Sequence, residues 1–504
     1  METLQLLGQG FAVVAQPLNL AAAVVGVLIG QLIGVLPGIG PASTIAILLP
    51  VTLSLNPTAA MIMFVGIYYG AMYGGTITSV LFRIPGESAS VITTIDGYAM
   101  ARQGRAGPAL GIAAFGSFIA GTLGVVALML LAPSLARVAL AFGPPEYATL
   151  LLLSLSLIVY LTGRNPAKGA AAALLGLWLS VVGVDLITAK PRFTFGQLKL
   201  LSGVEFVPVA VGLFGLAEVL LSVQRGAARA GVKADFGLRA VLPTVADWLD
   251  SRWAILRGTL VGFFVGMLPG AGATAASMIS YAAEKRFSRH AERFGSGAIE
   301  GVAAPESSNN AAAVGAMVPL LTLGIPGSAT TAVMLGGLLI FGLRPGPLLF
   351  QEHALFVWGI IASMYVANVL LVLLNVFAIP AFVAVLRLPG VVLLPSITAL
   401  AIIGVYSLEN SVFEVWMALL FGGIGYVMHR LEYPPAPLVL ALVLGNTFEE
   451  TVRQSLLISR GDLSIFVTRP LAAAFLVLTV VLIALPVVAQ RRQVRRLLAA
   501  RKAT

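Results

Sequence analysis

Between Glu2 and Arg83 the chain carries no Asp, Glu, Lys or Arg. So long an uncharged stretch is more than one crossing, because a bilayer is spanned by roughly 20 helical residues. It must hold several membrane segments. Further uncharged stretches run over 108–136, 354–386, 415–429 and 470–490. Hydrophobic residues are 59% of the chain and charged residues only 10%, with a mean hydropathy of +0.98, whereas a soluble domain is about a quarter charged. The apolar runs are continuous rather than alternating, which excludes a transmembrane barrel. The expected fold class is an all-α integral membrane protein with about a dozen transmembrane segments, some of them broken or re-entrant.

A net charge of +10 raises the question of a nucleic-acid partner, and its distribution answers it. Basic residues collect in short connections (Arg102 and Arg105; Arg164 and Lys168; Arg225, Arg229 and Lys233) and in the tail RRQVRRLLAARK at 491–502. That is the pattern that orients helices with basic loops in the cytoplasm. No nucleic acid is expected, and the tail is placed at the cytoplasmic face of the lipid bilayer, against anionic headgroups. The chain has no cysteine, which removes disulfides and thiol chemistry. Its N-terminus lacks the basic region of a cleaved signal peptide, so the first apolar segment is expected to be retained.

Two motifs occur twice. GVLPGIGPAST at 34–44 is echoed by GMLPGAGATAA at 266–276, and RIPGESAS at 83–90 by GIPGSATT at 324–331. Pro269 follows Pro37 by 232 residues and Pro326 follows Pro85 by 241. Matches in the same order at nearly the same offset indicate two homologous halves. The polar stretch 223–257, with Asp235, Asp247 and Asp250, reads as a cytoplasmic linker. The organisation is then an N-terminal half over 1–222 with broken-helix motifs at 34–50 and 83–97, the linker at 223–257, and a C-terminal half over 258–490. The second half has broken-helix motifs at 266–282 and 305–335 and scaffold helices over 354–490; a basic tail fills 491–504. With linker and tail both inside, the segment entering the second Leu-Pro-Gly runs outward, while the uncharged N-terminus has the first running inward. An inverted repeat is expected, as in many secondary transporters.

A Pro-Gly break frees backbone groups that lipid cannot satisfy, so it is tolerated only inside protein or beside a water-filled cavity. One such break is more often a packing kink; paired recurrence points to a cavity. Each break also starts a new helix whose N–H donors and positive dipole end favour an anion. The candidate substrate contacts follow: Gly38, Gly40, Ser43 and Thr44 in the first motif, and Arg83, Pro85, Gly86 and Ser88 in the second, with Ser90 beside them. Gly270, Gly272 and Thr274 come from the third motif, and Pro326, Gly327, Ser328, Thr330 and Thr331 from the fourth. Arg83 has the fork to clamp a carboxylate; the competing readings are an ion pair with Glu87 or a side chain reaching for the interface. The run ESSNN offers Glu306, Ser308, Asn309 and Asn310 as oxygen ligands for Na⁺, or a protonatable group for H⁺. Asp96 in TTIDGYAM has the same reading, and for both the alternative is a helix cap. Tyr68, Tyr69 and Tyr73 share roughly one helical face and read as packing or interface anchors. No cofactor is expected, nor a metal besides Na⁺, since His290, His353 and His429 are scattered. GAGATA at 270–275 lacks the strand that a dinucleotide site needs. With no phosphate-loop motif and no nucleophile paired with a base, neither an ATPase nor another enzyme is expected.

The blocks LPGIGPASTIAILLP, YYGAMYGGTITSVLFRIPGESASVITTIDGYAMARQGRAGPALG and PESSNNAAAVGAMVPLLTLGIPGSATTAVMLGGLL resemble the large membrane subunit of the tripartite tricarboxylate transporters, TctA, and the resemblance runs over essentially the whole chain. At Arg83 that family more often has a neutral residue, frequently Asn. The resemblance implies uptake of an organic carboxylate across a bacterial inner membrane, driven by Na⁺ or H⁺. It also implies two partners, a small TctB-like membrane subunit and a TctC-like periplasmic binding protein. The solute is left open. Elevator-like transport is expected, in which the Gly-rich tips carry substrate and cation together, because an unpaired carboxylate in hydrocarbon is costly. The scaffold would then hold a second copy, a homodimer. A channel or uncoupled permease is the alternative class, since channels also use exposed backbone, though it has no need of two matched halves.

Overall fold

The computed structural model describes residues 2–36, 40–161, 165–185, 188–225, 238–385 and 390–484. The chain opens with α1 (Glu2–Val14), α2 (Pro17–Val35), α3 (Pro41–Thr52), α4 (Pro57–Phe82), α5 (Thr93–Arg102) and α6 (Ala106–Ala139). Then come α7 (Pro144–Leu161), α8 (Pro166–Ser180), a small antiparallel hairpin of β1 (Gly183–Val184) and β2 (Pro191–Arg192), and α9 (Phe206–Ala210), which passes through a π turn at Val211–Leu216 into α10 (Ala217–Arg225). After the short α11 (Leu238–Val241) come α12 (Val245–Gly266), α13 (Gly272–Phe287), α14 (Glu300–Leu323), α15 (Ala329–Ile340), α16 (Leu349–Glu352) and α17 (Ala354–Phe377). The chain ends in α18 (Ile379–Val385), α19 (Gly390–Glu409), α20 (Val412–Arg430), α21 (Pro435–Ile458) and α22 (Ile465–Thr468).

Helix starts follow local sequence. Pro57 stands in the first turn of α4, where its missing N–H costs nothing, and the Asn56 side chain accepts from the Ala59 N–H at 2.8 Å. Thr244 and Asp247 form a reciprocal capping box that starts α12. This start lies inside the stretch read as linker, so only part of 223–257 connects helices, and 226–237 lies outside the described residues, as does the tail 491–504.

Among the described residues seven helical runs are long and apolar enough to cross a membrane: α2, α4, α6, α7, Phe206–Gln224, α17 and α20. The molecule is a multi-pass membrane protein of the all-α class, its described residues helical but for one two-stranded hairpin and connections. Other expected segments take two forms among the described residues. Some, such as α3 and α15, are half-length pieces beside a break; others, such as α12 and α14, are long enough but carry charged or amide side chains. α4 and α14 are enclosed on all sides, buried from Ala59 to Leu81 and from Glu300 to Thr322. They form the centre.

What brings backbone so close to these two helices is a Gly triplet with four-residue spacing. Gly26, Gly30 and Gly34 of α2 lie on the carbonyls of Met63, Ile67 and Ala71 of α4; Gly258, Gly262 and Gly266 of α12 lie on those of Ala304, Ser308 and Ala312 of α14. A side chain at any of the six would enter the facing backbone, the small-residue packing that membrane helices use where no hydrophobic force joins them. In both pairs the residue numbers rise together, so α2 is parallel to α4 and α12 to α14.

Neighbouring contacts fix how the pairs run. α17 follows α4 in the same direction (Thr58 by Gly359, Tyr73 by Asn368) but lies against α6 in the opposite one, with Asn368 bonded to the Phe118 carbonyl and Tyr365 to Met129. α6 in turn parallels α14, with Gly116 by Ser307 and Gly124 by Val314. The α2–α4 pair therefore runs opposite to the α12–α14 pair.

At about 50 Å, the 34-residue α6 spans the molecule. Its start lies on the carbonyls of Ala240 and Val241, beside the ion pair of Arg105 with Asp247 at 2.5 Å. Its end borders an open cavity of about 1280 Å³ at the other face, walled by the β-hairpin, α8, α15 and α21. There Arg192 and Arg453 each bridge Asp185 and Glu449 at 2.7–3.2 Å.

Candidate functional site

The helix breaks meet one another. The second break packs on the first: a side chain at Gly86 would enter the Gly34 carbonyl at the end of α2. The fourth packs on the third in the same way, Gly327 lying over the Gly266 carbonyl, and the Gly270 N–H donates to the Gly327 carbonyl at 3.0 Å. Contacts between the two parts close the set. Ser88 and Thr274 share a hydrogen bond at 2.8 Å, the Ser277 hydroxyl donates to the Ala89 carbonyl at 2.8 Å, and the hydroxyls of Tyr68 and Ser328 stand 3.4 Å apart. A Cβ at Gly272 would come 3.6 Å from the Ser328 Cβ.

Not every predicted contact is free for a guest. Ser328 accepts from the Thr331 N–H at 3.3 Å, and Thr331 accepts from the Ser328 N–H at 2.9 Å, a capping box that already satisfies two donors at the start of α15. Thr330, buried on the same turn, has no such task. In the first motif, Ser43 donates to the Phe214 carbonyl and Thr44 to Gly40, both at 3.0 Å, so neither hydroxyl points at the other breaks; Gly38 lies outside the described residues. Pro85 and Pro326 hold their breaks extended after a left-handed residue, Arg83 (φ 57°) in the first part and Gly324 (φ 69°) in the second. Gly and Asn take that conformation readily and Arg does not. The Arg83 side chain is exposed and stacks over Tyr98, 5.9 Å from the ring centre, rather than pairing with Glu87.

The ESSNN run sits in the middle of α14, wholly buried, and is not a cap at a boundary. Glu306 accepts from Thr76 and Thr93, both at 2.5 Å, and from Asn309 at 3.2 Å. Asn310 donates to Ser117 at 2.7 Å and to the Asn309 side-chain oxygen at 2.8 Å. The hydroxyls of Ser307 and Ser308 are buried without a partner. Asp96 is placed apart from this cluster: one carboxylate oxygen accepts the N–H groups of Gly295, Gly297 and Ala298 at 2.8–2.9 Å and the other accepts the Tyr281 hydroxyl at 2.7 Å. The tyrosines are all buried, with Tyr73 donating to Asn368 at 2.7 Å, as packing residues do. Sequence reading took Glu87 only as an ion-pair partner for Arg83; its Cγ lies against Gly75 within the second break, and the one signal for more was an acidic residue inside a Pro-Gly motif.

Broken helices from both parts of a multi-pass helical bundle, packed on one another beside buried polar groups, define a polytopic membrane protein organised around its helix breaks. The model of the Tripartite tricarboxylate transporter TctA family matches residues 20–440, and the chain belongs to that family. It is a component of a transport system. It is similar to two proteins of Agrobacterium vitis. An uncharacterized 52.8 kDa protein in the TAR-I ttuC' 3' region is 45% identical over 498 residues, 98% of either chain. An uncharacterized protein in the TAR-II ttuC' 3' region is 45% identical over 234 residues, 46% of this chain and 97% of its own. No solved structure matches.

Proposed function

We propose that the chain is the carrier subunit of a secondary transporter that takes up an organic carboxylate with Na⁺ or H⁺ across the bacterial inner membrane, working with a TctB-like small subunit and receiving solute from a TctC-like periplasmic binding protein. The observation that carries this reading is the meeting of breaks from both parts at Ser88–Thr274 and Ala89–Ser277, which brings small residues, hydroxyls and backbone groups to one place. Opposed helix pairs built on the same Gly spacing support an inverted repeat around that place, the arrangement in which transporters bind at mid-membrane. On this reading Ser88, Thr274, Thr330 and the Gly backbone at 86, 270, 272 and 327 hold the carboxylate, and Glu306, Ser308, Asn309 and Asn310 serve the cation. Vesicles carrying the membrane subunits, with binding protein outside, should accumulate labelled carboxylate only when a Na⁺ or H⁺ gradient is imposed. Steady solute-dependent current without accumulation would instead make it a channel.

A further inference from the structure

Among the described residues no Lys or Arg is buried, whereas buried acids are numerous, and nearly all have a visible reason to be there. Glu146, Asp185, Asp247 and Glu284 each face an arginine, and Glu300 faces His290. Asp96 and Glu306 accept four and three hydrogen bonds as described, and Glu414 is also engaged. Glu87 differs. It is 8% exposed, and its Oε1 is the single carboxylate oxygen among the described residues that is buried with no hydrogen-bond partner. An ionised carboxylate with an unmet oxygen in such a place is costly, and a bound proton removes the charge.

Its surroundings fit a proton better than a metal ion. The carboxylate stem lies against Gly75, where there is no side chain to compete, and the nearby Ser90 and Thr78 hydroxyls already donate to backbone carbonyls at 2.9 Å and 3.3 Å. Among the described residues no cluster of three or more His, Cys, Asp or Glu that could hold a metal ion includes it. Four helices pack on the segment, and α2, which meets it at the Gly34 carbonyl, has no titratable side chain. From α4 the titratable side chains are Tyr68, Tyr69 and Tyr73. From α14 they are Glu306, three residues from the Asn309 that bonds it, and Glu300, paired with His290. α13 brings Tyr281 and Glu284, held by Asp96 and Arg257, and the exposed Lys285 and Arg286. No cation among these is directed at Glu87, and Arg83 on its own segment is turned out over Tyr98. An anion arriving at the Ser88–Thr274 tips therefore meets Glu87 with no basic side chain to offset the pair of charges.

We propose that Glu87 takes up and releases a proton at the tips, so that an anionic solute and a proton enter and leave the site together. The proton comes from the side that delivers the solute, converts the carboxylate to the neutral acid, and departs on the other side; no covalent bond to the solute changes. This deepens the carrier reading and rests on it for the coupling, while the proton site itself is tested on the protein alone. The probe is pH, read by infrared difference spectra of the full-length chain in lipid. Wild type should show a carboxylic-acid C=O band that titrates. Glu87→Gln should lose it and Glu306→Gln should keep it. Glu87→Asp should keep a shifted band, which separates loss of the group from misfolding. A titrating band that survives Glu87→Gln, that disappears only in Glu306→Gln, or that is absent from wild type overturns the proposal. In three-subunit vesicles with labelled citrate as probe, Glu87→Gln should exchange citrate across the membrane but lose accumulation driven by a pH gradient, by tenfold or more. Accumulation by wild type on a Na⁺ gradient alone would overturn the proton coupling and leave the carrier reading standing; failure of wild type to move any probe carboxylate, with the infrared band intact, would count against the carrier reading instead.

Discussion

Asp96 shows how a single buried charge is held without a counter-ion. Three N–H groups from the turn after α13 and the Tyr281 hydroxyl point at its two oxygens, and charge-assisted bonds of that kind are the strong ones. The turn can present three N–H groups to one atom because Gly295 and Gly297 adopt positive φ of 92° and 111°. Asp96→Ala leaves those donors unmet in a closed interior, so the unfolding free energy in detergent should fall by about 3 kcal/mol. A loss of only about 0.5 kcal/mol, the size of a surface substitution, would show that the turn keeps its shape without the carboxylate. The sequence offered Asp96 as a cation ligand or a cap, and the second reading is nearer to its geometry: it caps a turn of the other half, which no local pattern in TTIDGYAM announces. Arg83 misleads for a related reason. Its type suits a carboxylate clamp, but its backbone lies at the left-handed end of α4, and that turns the side chain outward over Tyr98.

At the scale of elements, the breaks were legible because Pro and Gly act locally. Pro85 and Pro326 interrupt the backbone ladder wherever they stand. The pairing of helices was not read, although its signal is in the chain: Gly26, Gly30 and Gly34 share a face, as do Gly258, Gly262 and Gly266, at the same 232-residue offset as the Leu-Pro-Gly motifs. That spacing reads as ordinary apolar composition until something shows which helix lies opposite. Likewise nothing local to ESSNN tells that its helix is enclosed rather than ending at an interface; the enclosure comes from α2, α6 and α12 around α4 and α14. Because equivalent glycines meet equivalent carbonyls, Gly30→Leu and Gly262→Leu should be similarly harmful, each lowering stability by about 2 kcal/mol or more through overpacking. The check is the fraction of each variant that stays monodisperse after heating in detergent, beside the neighbouring Leu28→Ala, whose exposed side chain makes it a control. Tolerance of leucine at one site and not the other would break the equivalence of the two helix pairs.

For the whole molecule, the question is which parts move together. If the halves rocked against each other, the Ser88–Thr274 contact would have to open in each cycle, since one residue comes from each half. If the tips travel as one unit past a scaffold, that contact persists and the sliding surface lies elsewhere, for example where Pro50 of α3 touches Gly404 of α19, a Cβ at Gly404 coming 3.3 Å from the Pro50 Cβ. The Pro50–Gly404 pair has the Cβ separation of about 4 Å that a disulfide needs, the Ser88 and Thr274 hydroxyls meet at 2.8 Å, and the chain has no cysteine of its own to interfere. Elevator movement predicts that Pro50→Cys with Gly404→Cys, once oxidised, stops uptake in vesicles and that a reductant restores it. Ser88→Cys with Thr274→Cys gives up two hydroxyls assigned to the carboxylate and lowers uptake by itself, but oxidised to the same extent it should stay within about twofold of its own reduced form, a difference below 0.5 kcal/mol in barrier. The reverse result, arrest by the tip cross-link and free running with the scaffold cross-link, would mean that the halves themselves part company. The tips would then be the gate rather than the cargo hold, and the place where Glu87 sits would open directly to each side in turn.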